Sequence, residues 1–301
     1  MTKSSTNARP FGLPELSLVG VTMIWGCTFL IVKNAVTAGD ALAFVGLRFG
    51  VAAVLIALIF HKSLRGFTVA EALAGCAIGA SIFAGYSLQT YGLSYISSSK
   101  SAFITGFYVP LVPLLQWVFL RKAVPWLTWV AIIVAFVGVS LLAGPDGLDG
   151  AIGKGEVLTA LGALAIAIEI LLISSVSKGL DTARVTVAQL FFTSIFAFAC
   201  MPVVGESAPN FSSTFVISAI GLGAASALIQ FVMNWAQKRV SATKATLIYA
   251  GEPVWAGIVG RMAGERITWL SVVGALMIVA SSILSELKPK RALLTAVNKT
   301  S

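Results

Sequence analysis

The sequence contains ten apolar stretches, each about as long as a helix that crosses a lipid bilayer. Such a helix needs about 20 mostly apolar residues. The ten stretches cover residues 14–34, 41–60, 69–90, 98–120, 124–143, 154–176, 183–204, 212–235, 242–262 and 267–286. The connectors are mostly shorter than ten residues, so no separate soluble domain fits between them. We therefore predict an all-α integral membrane protein with ten transmembrane helices.

The composition agrees with a protein whose surface lies mostly in lipid. Hydrophobic residues make up 57% of the chain and charged residues only 11%, whereas soluble proteins carry about 25% charged residues. The net charge of +9 comes from Lys and Arg residues clustered between the apolar stretches. Such clusters indicate membrane orientation, and without a basic face interleaved with aromatic residues we expect no nucleic-acid partner.

The distribution of basic residues predicts the orientation. With an even number of spans, both termini lie on the same side of the membrane. If that side is the cytoplasm, 15 Lys and Arg residues lie inside, 5 lie outside and Arg48 lies within the membrane. Cytoplasmic loops carry the excess of Lys and Arg. We therefore predict that both termini face the cytoplasm (N-in, C-in). We further expect a multi-pass protein of the inner (plasma) membrane of a bacterium.

Two stretches resemble each other and indicate an internal repeat. They are "KSAFITGFYVPLVPLLQWVFLRKAVPW" (Lys100–Trp126) and "KATLIYAGEPVWAGIVGRMAGERITW" (Lys244–Trp269), and one residue of slippage aligns Pro110 with Pro253. Each half then holds five spans, and an odd-numbered repeat inserts its second copy upside down. Inverted repeats are typical of transporters with a substrate site near the middle of the bilayer.

The repeat divides the chain into five parts. We predict a cytoplasmic N-terminal tail (1–13), a first repeat with helices 1–5 (14–143), an outside linker (144–153), a second repeat with helices 6–10 (154–286) and a basic cytoplasmic C-terminal tail (287–301).

Three charged residues lie at membrane depth, where charges usually face a protein interior or a water-filled path. At a helical rise of 1.5 Å per residue, Arg48 lies about 10 Å, Glu252 about 14 Å and Glu169 about 20 Å from the outer face. Arg48 and Glu252 therefore could form an ion pair, whereas Glu169 has no evident partner. The alternatives are proton coupling or binding of a substrate amine for the carboxylates, and binding of a substrate carboxylate for Arg48.

The repeat also predicts which other side chains face a central cavity. It aligns Thr28 roughly with Glu169, so Trp25 and Thr28 are expected to face the same space. Packing between helices is the alternative for the remaining aromatic and polar candidates, which are Tyr86, Gln89, Tyr108, Gln230, Asn234 and Tyr249.

Prolines and glycines predict irregular or closely packed helices. Pro110 and Pro253 each remove a backbone hydrogen bond and are expected to kink their helices beside the cavity. Gly251 next to Pro253 favours a bend that opens and closes. In the third span, Gly75 and Gly79 predict a close approach between helices.

Several segments together resemble the EamA-type branch of the drug/metabolite transporter superfamily. The segments are "WGCTFLIVK" (Trp25–Lys33), "LRFGVAAVL" (Leu47–Leu55), "SKSAFITGFYVPLVPLL" (Ser99–Leu115), "GEVLTALGALAIAIEILL" (Gly155–Leu172) and "EPVWAGIVGRMAGERIT" (Glu252–Thr268). The resemblance implies ten helices in an inverted five-plus-five repeat around a central cavity. It also implies export of amino acids or other small metabolites.

Two features depart from that family pattern. Arg121 and Lys122 stand where the family often has an acidic turn, and Glu169 stands where many relatives have an aromatic residue, histidine or glutamine. We expect a carboxylate at this position to change the substrate preference, so the family's substrates transfer poorly to this chain.

The sequence favours a secondary transporter that exports amino acids or similar small metabolites by alternating access. One histidine, no HExxH motif and no P-loop leave little for catalysis or for direct use of ATP. We expect a monomer that binds a small molecule and requires no metal or cofactor, with the proton as a candidate coupling ion. A passive facilitator or a drug or amphiphile exporter remains open; a membrane-embedded enzyme or sensor would need a longer cytosolic segment.

Overall fold

The computed structural model describes residues 12–36, 41–96, 98–121, 123–148, 153–206, 211–255, 258 and 269–284. Most of the N-terminal tail, the C-terminal tail, residues 149–152 of the linker and the end of the ninth predicted span lie outside these ranges. Within them the chain is helical, without a strand. The α-helices are α1 (Leu13–Ala35), α2 (Ala41–Ile59), α3 (Val69–Leu93), α4 (Ser98–Thr105), α5 (Tyr108–Leu120), α6 (Trp126–Leu148), α7 (Lys154–Val176), α8 (Thr182–Val204), α9 (Ser213–Gln237), α10 (Ala242–Tyr249) and α11 (Trp269–Leu284).

Seven described helical segments are long and apolar enough to cross a membrane. They are α1, α2, α3, α7, α8, α9 and the combined segment Ser101–Leu120. Shorter apolar helices lie at Trp126–Gly138 and Val272–Ser281. Large apolar side chains such as Phe119, Val203 and Ile217 are exposed, as expected for a surface that contacts lipid. The chain is therefore a multi-pass membrane protein.

Helices α1 and α7 begin in the same way. Gly12 precedes α1 and donates its backbone N–H to the Glu15 carboxylate at 2.9 Å. Gly153 precedes α7 and donates to Glu156 at 3.0 Å. Both carboxylates satisfy a backbone donor at a helix N-terminus and complement the helix dipole there.

Contacts between helices repeat when the two halves are exchanged. Helix α3 packs on α7 and α8, and its equivalent α9 packs on α1 and α2. A Cβ atom on Gly79 of α3 would lie 2.6 Å from the Gln189 carbonyl oxygen of α8, and one on Gly223 of α9 would lie 2.8 Å from the Arg48 carbonyl oxygen of α2. Gly79 and Gly223 are each the eleventh residue of their helix, and Arg48 and Gln189 each the eighth.

Two helical spans are interrupted near their middle, but the prolines do not kink continuous helices there. The first interruption is at Gly106 and Phe107, and Pro110 lies in the first turn of α5. Because Pro110 has no N–H for the Gly106 carbonyl, Val109 donates to that carbonyl instead, at 3.0 Å. Proline is tolerated in the first turn of a helix.

The second interruption follows α10. Ala250 and Gly251 form a turn in which the Gly251 N–H donates to the Ile248 carbonyl at 3.0 Å, and residues 252–255 are helical again. Pro253 therefore also lies in a first helical turn. Gly251 lies in the interruption itself, and the break places Glu252 at the start of a helical segment.

The N-terminus of α2 provides a test of stability outside the cavity. The Glu206 carboxylate accepts hydrogen bonds from the backbone N–H groups of Leu42 and Ala43, both at 3.0 Å, and from the Tyr91 hydroxyl at 2.9 Å. Losing such a cap costs about 0.5–2 kcal/mol. We expect Glu206→Ala to lower the unfolding temperature of the detergent-purified protein. Tyr91→Phe keeps both backbone bonds and is expected to lower it less; an equal loss would contradict the capping role.

Candidate functional site

A small cavity lies where helices of the two halves meet. Its lining combines aromatic rings, neutral polar groups and two carboxylates: Trp25, Thr28, Phe29, Tyr86, Gln89, Thr105, Tyr108, Ile166, Glu169, Ile170 and Glu252. The centre of a water molecule has only about 30 Å³ in which to move, whereas pockets for drug-sized ligands hold about 300–1,000 Å³. In this conformation the cavity has room for water but not for a metabolite.

Most of the predicted cavity residues meet in this cavity, together with Glu252. Trp25, Thr28, Tyr86, Gln89, Tyr108, Glu169 and Glu252 all line it. Three predicted cavity residues do not: Gln230, Asn234 and Tyr249 are fully buried behind the lining. Their side chains contact other protein groups instead: Gln230 and Asn234 of α9 face Gln189 of α8, and Tyr249 of α10 faces α9 and α1.

Glu169 is a buried carboxylate of α7 with a neutral partner. Its side chain is 1% exposed, and its Oε1 accepts a hydrogen bond from Gln230 Nε2 at 2.9 Å. Among the described residues it forms no ion pair. A carboxylate at this depth with only a neutral donor remains available to a cation that enters the cavity.

Glu252 is the second carboxylate, and it belongs to the other end of the sequence. It is 7% exposed and lies directly after the interruption that follows α10. It forms no ion pair with any residue in the described part of the chain. The cavity thus brings together two carboxylates that lack a basic partner there.

Arg48 does not form the ion pair with Glu252 that its depth suggested. Its Nε donates to Ser226 Oγ at 2.7 Å, and its guanidinium carbon lies 5.0 Å from the ring centre of Tyr86 and 5.4 Å from that of Phe49. These contacts hold the cation beside α3 and α9, with Tyr86 next to the cavity. Ring faces attract a guanidinium, which compensates in part for the lack of a carboxylate partner, and the buried Nη2 atom has no hydrogen-bond partner among the described residues.

Aromatic contacts fix the frame of the cavity. The Trp25 and Tyr249 rings meet edge to face at 5.2 Å between centres. The Tyr249 hydroxyl accepts a hydrogen bond from Gln237 Nε2 at 2.9 Å. Tyr249 therefore holds the Trp25 ring against the cavity from behind, so its role is one of support.

Sequence reasoning did not single out several residues that belong to the site. Thr105 lines the cavity and accepts a hydrogen bond from Gln89 Nε2 at 3.0 Å. Ser226 holds Arg48, and Gln189 contacts Gln230. A signal for Gln189 existed, because it is an amide within an apolar span at the place in α8 that Arg48 occupies in α2.

Carboxylates and ring faces together suit a positively charged organic group. An ammonium interacts favourably with the faces of tryptophan and tyrosine and forms charge-assisted hydrogen bonds with carboxylates. The described residues contain no group of three or more His, Cys, Asp and Glu side chains that could hold a metal ion.

A family model described as "EamA-like transporter family" matches the chain twice, at residues 13–144 and 153–287. The chain belongs to this family. It is therefore a member of the drug/metabolite transporter superfamily, and every cavity residue of this EamA-like transporter lies within one of the two matched ranges.

Curated relatives of this EamA-like transporter carry transporter names. An uncharacterized transporter of Archaeoglobus fulgidus is 29% identical over 91% of this chain and 86% of its own. The uncharacterized transporter YoaV of Bacillus subtilis is 23% identical over 87% of this chain and 93% of its own. Family and relatives indicate a transporter rather than an enzyme.

A solved structure resembles the fold of this EamA-like transporter. It is titled "Crystal structure of protein", has a TM-score of 0.73 and covers 91% of this chain and 98% of its own, at 15% sequence identity. At that identity the likeness concerns the fold alone.

Proposed function

We propose that the protein is a secondary transporter that exports amino acids or similar small metabolites carrying an amino group. The observation behind this proposal is the cavity between the two halves. It holds the rings of Trp25, Tyr86 and Tyr108 and the carboxylates Glu169 and Glu252, neither of which forms an ion pair with a residue that the structure describes. A transported ammonium would bind between the carboxylates and the rings, while Thr28 and Gln89 contact neutral polar groups of the substrate.

Transport proceeds by alternating access in this proposal. The cavity is too small for a metabolite in the present conformation, so the helices around it must separate to admit the substrate. The interruptions at Gly106 and Gly251 provide flexible points in two of the helical spans that border it. The substrate gradient or exchange with protons supplies the energy.

The proposal includes ten helices in an inverted five-plus-five repeat, with repeats at 14–143 and 154–286 and both termini in the cytoplasm. Contacts between helix ends support it, because each joins ends assigned to the same face. On the inner face, Lys244 forms an ion pair with Glu15 at 2.6 Å, and Arg184 with Glu71 at 3.4 Å. On the outer face, Lys33 Nζ donates to the Ile96 carbonyl at 2.9 Å.

The test begins with a thermal-shift screen of amino acids, other amines and matched uncharged metabolites on purified protein. Hits are then measured as flux in proteoliposomes with and without an imposed pH gradient. We expect amine-bearing compounds to stabilise the protein and to accumulate against their gradient when protons flow the opposite way. Equilibration without accumulation would indicate a facilitator of the same fold. Stabilisation and flux only by apolar uncharged compounds would refute the proposed substrate class.

A further inference from the structure

A row of buried polar side chains ends on the Glu169 carboxylate. Ser177 Oγ donates to Asn234 Oδ1 at 3.2 Å, Asn234 Nδ2 to Gln189 Oε1 at 2.9 Å, Gln189 Nε2 to Gln230 Oε1 at 2.7 Å, and Gln230 Nε2 to Glu169 Oε1 at 2.9 Å. Every member is at most 1% exposed. The row connects helices α7, α8 and α9.

The backbone fixes the direction of this row. Asn234 Nδ2 also donates to the backbone carbonyl of Gln230 at 2.9 Å, and a carbonyl can only accept. Asn234 therefore presents its NH₂ group to Gln189, which must meet it with an oxygen, and Gln189 in turn presents its own NH₂ group to Gln230. The last amide is left with its NH₂ group facing Glu169, so the hydrogen bonds of the row all point towards the carboxylate.

Hydrogen bonds that point the same way polarise one another in a buried setting. The Gln230 N–H group that contacts Glu169 is thus a stronger donor than an isolated amide. A donor of this kind stabilises a carboxylate in a fixed rotamer, as hydrogen bonds to charged groups do.

The row belongs to one half of the protein only. Counted from the helix starts, Thr28, Arg48 and Tyr86 occupy in the first half the places that Glu169, Gln189 and Gln230 occupy in the second. In the first half the Arg48 guanidinium lies against the Tyr86 ring, whereas in the second half Gln189 and Gln230 direct N–H donors towards the Glu169 carboxylate. Equivalent positions of the two halves therefore carry different side chains, and the directed row of hydrogen bonds forms only in the second half.

We propose that Gln230, Gln189 and Asn234 are positioning residues, which hold the Glu169 carboxylate in place at the cavity and direct a polarised N–H donor to it. The proposal rests on the proposed function only in giving Glu169 a role in transport. The hydrogen-bond row itself is testable without any substrate.

The experiment is infrared difference spectroscopy of the purified protein. Subtracting the spectrum of Glu169→Gln from that of the wild type isolates the carboxylate bands of Glu169, whose frequencies depend on the donors that contact the carboxylate. Gln230→Met removes the donor and Gln189→Met removes the next link. Thr193→Val is the matched control, because Thr193 lies one turn beyond Gln189 in α8 and is fully buried. Within the described part of the chain its hydroxyl donates only to backbone carbonyls.

We expect the bands to shift most in Gln230→Met, less in Gln189→Met and not at all in Thr193→Val. If Gln230→Met does not fold, Asn234→Leu breaks the row one link further away and is expected to give the smallest shift of the three row variants. Identical bands in Gln189→Met and Thr193→Val would overturn the proposal, because the row would then not act on Glu169.

Transport measurements separate this proposal from the proposed function. If the wild type transports an amine, we expect Gln189→Met to raise its KM about tenfold and to have no further effect when Glu169 is already glutamine. Additive effects in the double variant would show that Gln189 does not act through Glu169. A wild type that transports no amine would refute the proposed function and leave the infrared result to decide on the row.

Discussion

Glu169→Gln is expected to reduce exchange of amine-bearing substrates in proteoliposomes by about tenfold to 100-fold, because a charge-assisted hydrogen bond to an ammonium is lost. The protein should remain folded. The variant keeps the size and shape of the side chain, and its carbonyl oxygen can still accept the hydrogen bond from Gln230. It also removes the buried charge of Glu169, which no basic residue in the described part of the chain neutralises. The free energy of unfolding is therefore expected to stay equal or rise.

Counterflow exchange distinguishes substrate binding from proton coupling at the two carboxylates. Exchange of substrate for substrate needs no net proton flux. A carboxylate that only carries protons can therefore be replaced without loss of exchange, while accumulation driven by a pH gradient disappears. A carboxylate that binds the amine is needed for both. We expect Glu169→Gln to impair both exchange and accumulation. The same two measurements on Glu252→Gln assign the role of the second carboxylate.

Glu156→Gln is the matched control. Glu156 lies on the same helix as Glu169 but caps its N-terminus through the Gly153 N–H group, far from the cavity lining. Its replacement should leave exchange and accumulation unchanged. If exchange and accumulation driven by a pH gradient are both unchanged in Glu169→Gln and in Glu252→Gln, neither carboxylate binds the amine or couples protons.

The repeat in the sequence predicted much of the cavity because equivalent helices place equivalent residues at the same depth. Aligning Thr28 with Glu169 placed both at one cavity, and both line it in the structure. Depth alone was not enough to predict partners. Arg48 and Glu252 were placed at similar depths, yet Arg48 is turned towards Ser226 and the Tyr86 ring. Counting residues along a helix gives the depth of a side chain but not the direction in which the rotated helix points it.

The prolines illustrate a second limit. A missing N–H predicts a lost hydrogen bond but not which neighbouring residues change conformation in response. At Pro110 the chain breaks a turn earlier, at Gly106 and Phe107, whereas at Pro253 it breaks at the two residues that precede Glu252. Similarly, Gln230 and Asn234 were candidates for the cavity because they are polar residues in apolar spans, yet they lie behind its lining. A sequence does not distinguish an amide that faces a substrate from one that faces another amide.

Gly75→Ala is expected to lower the unfolding temperature of the detergent-purified protein, because α3 and α8 are in contact at this glycine. A Cβ atom on Gly75 would lie 2.2 Å from the Ala188 Cβ and 2.9 Å from the Gln189 backbone nitrogen. Neither atom belongs to a side chain that can rotate away, so the helices must move apart. Overpacking of this kind costs about 1–3 kcal/mol.

Gly221→Ala separates this packing effect from the general effect of alanine in a helix. Gly221 lies within α9, is exposed, and has no atom within 4 Å of the place a Cβ would take. Alanine is favoured over glycine in a helix interior by about 1 kcal/mol, so this variant should be as stable as the wild type or more stable. If Gly75→Ala and Gly221→Ala unfold at the same temperature, close contact of α3 and α8 at Gly75 is not required. Helix α8, which Gly75→Ala is expected to displace, also carries Gln189. If only Gly75→Ala is destabilised, the carboxylate bands of Glu169 should therefore shift in this variant as well.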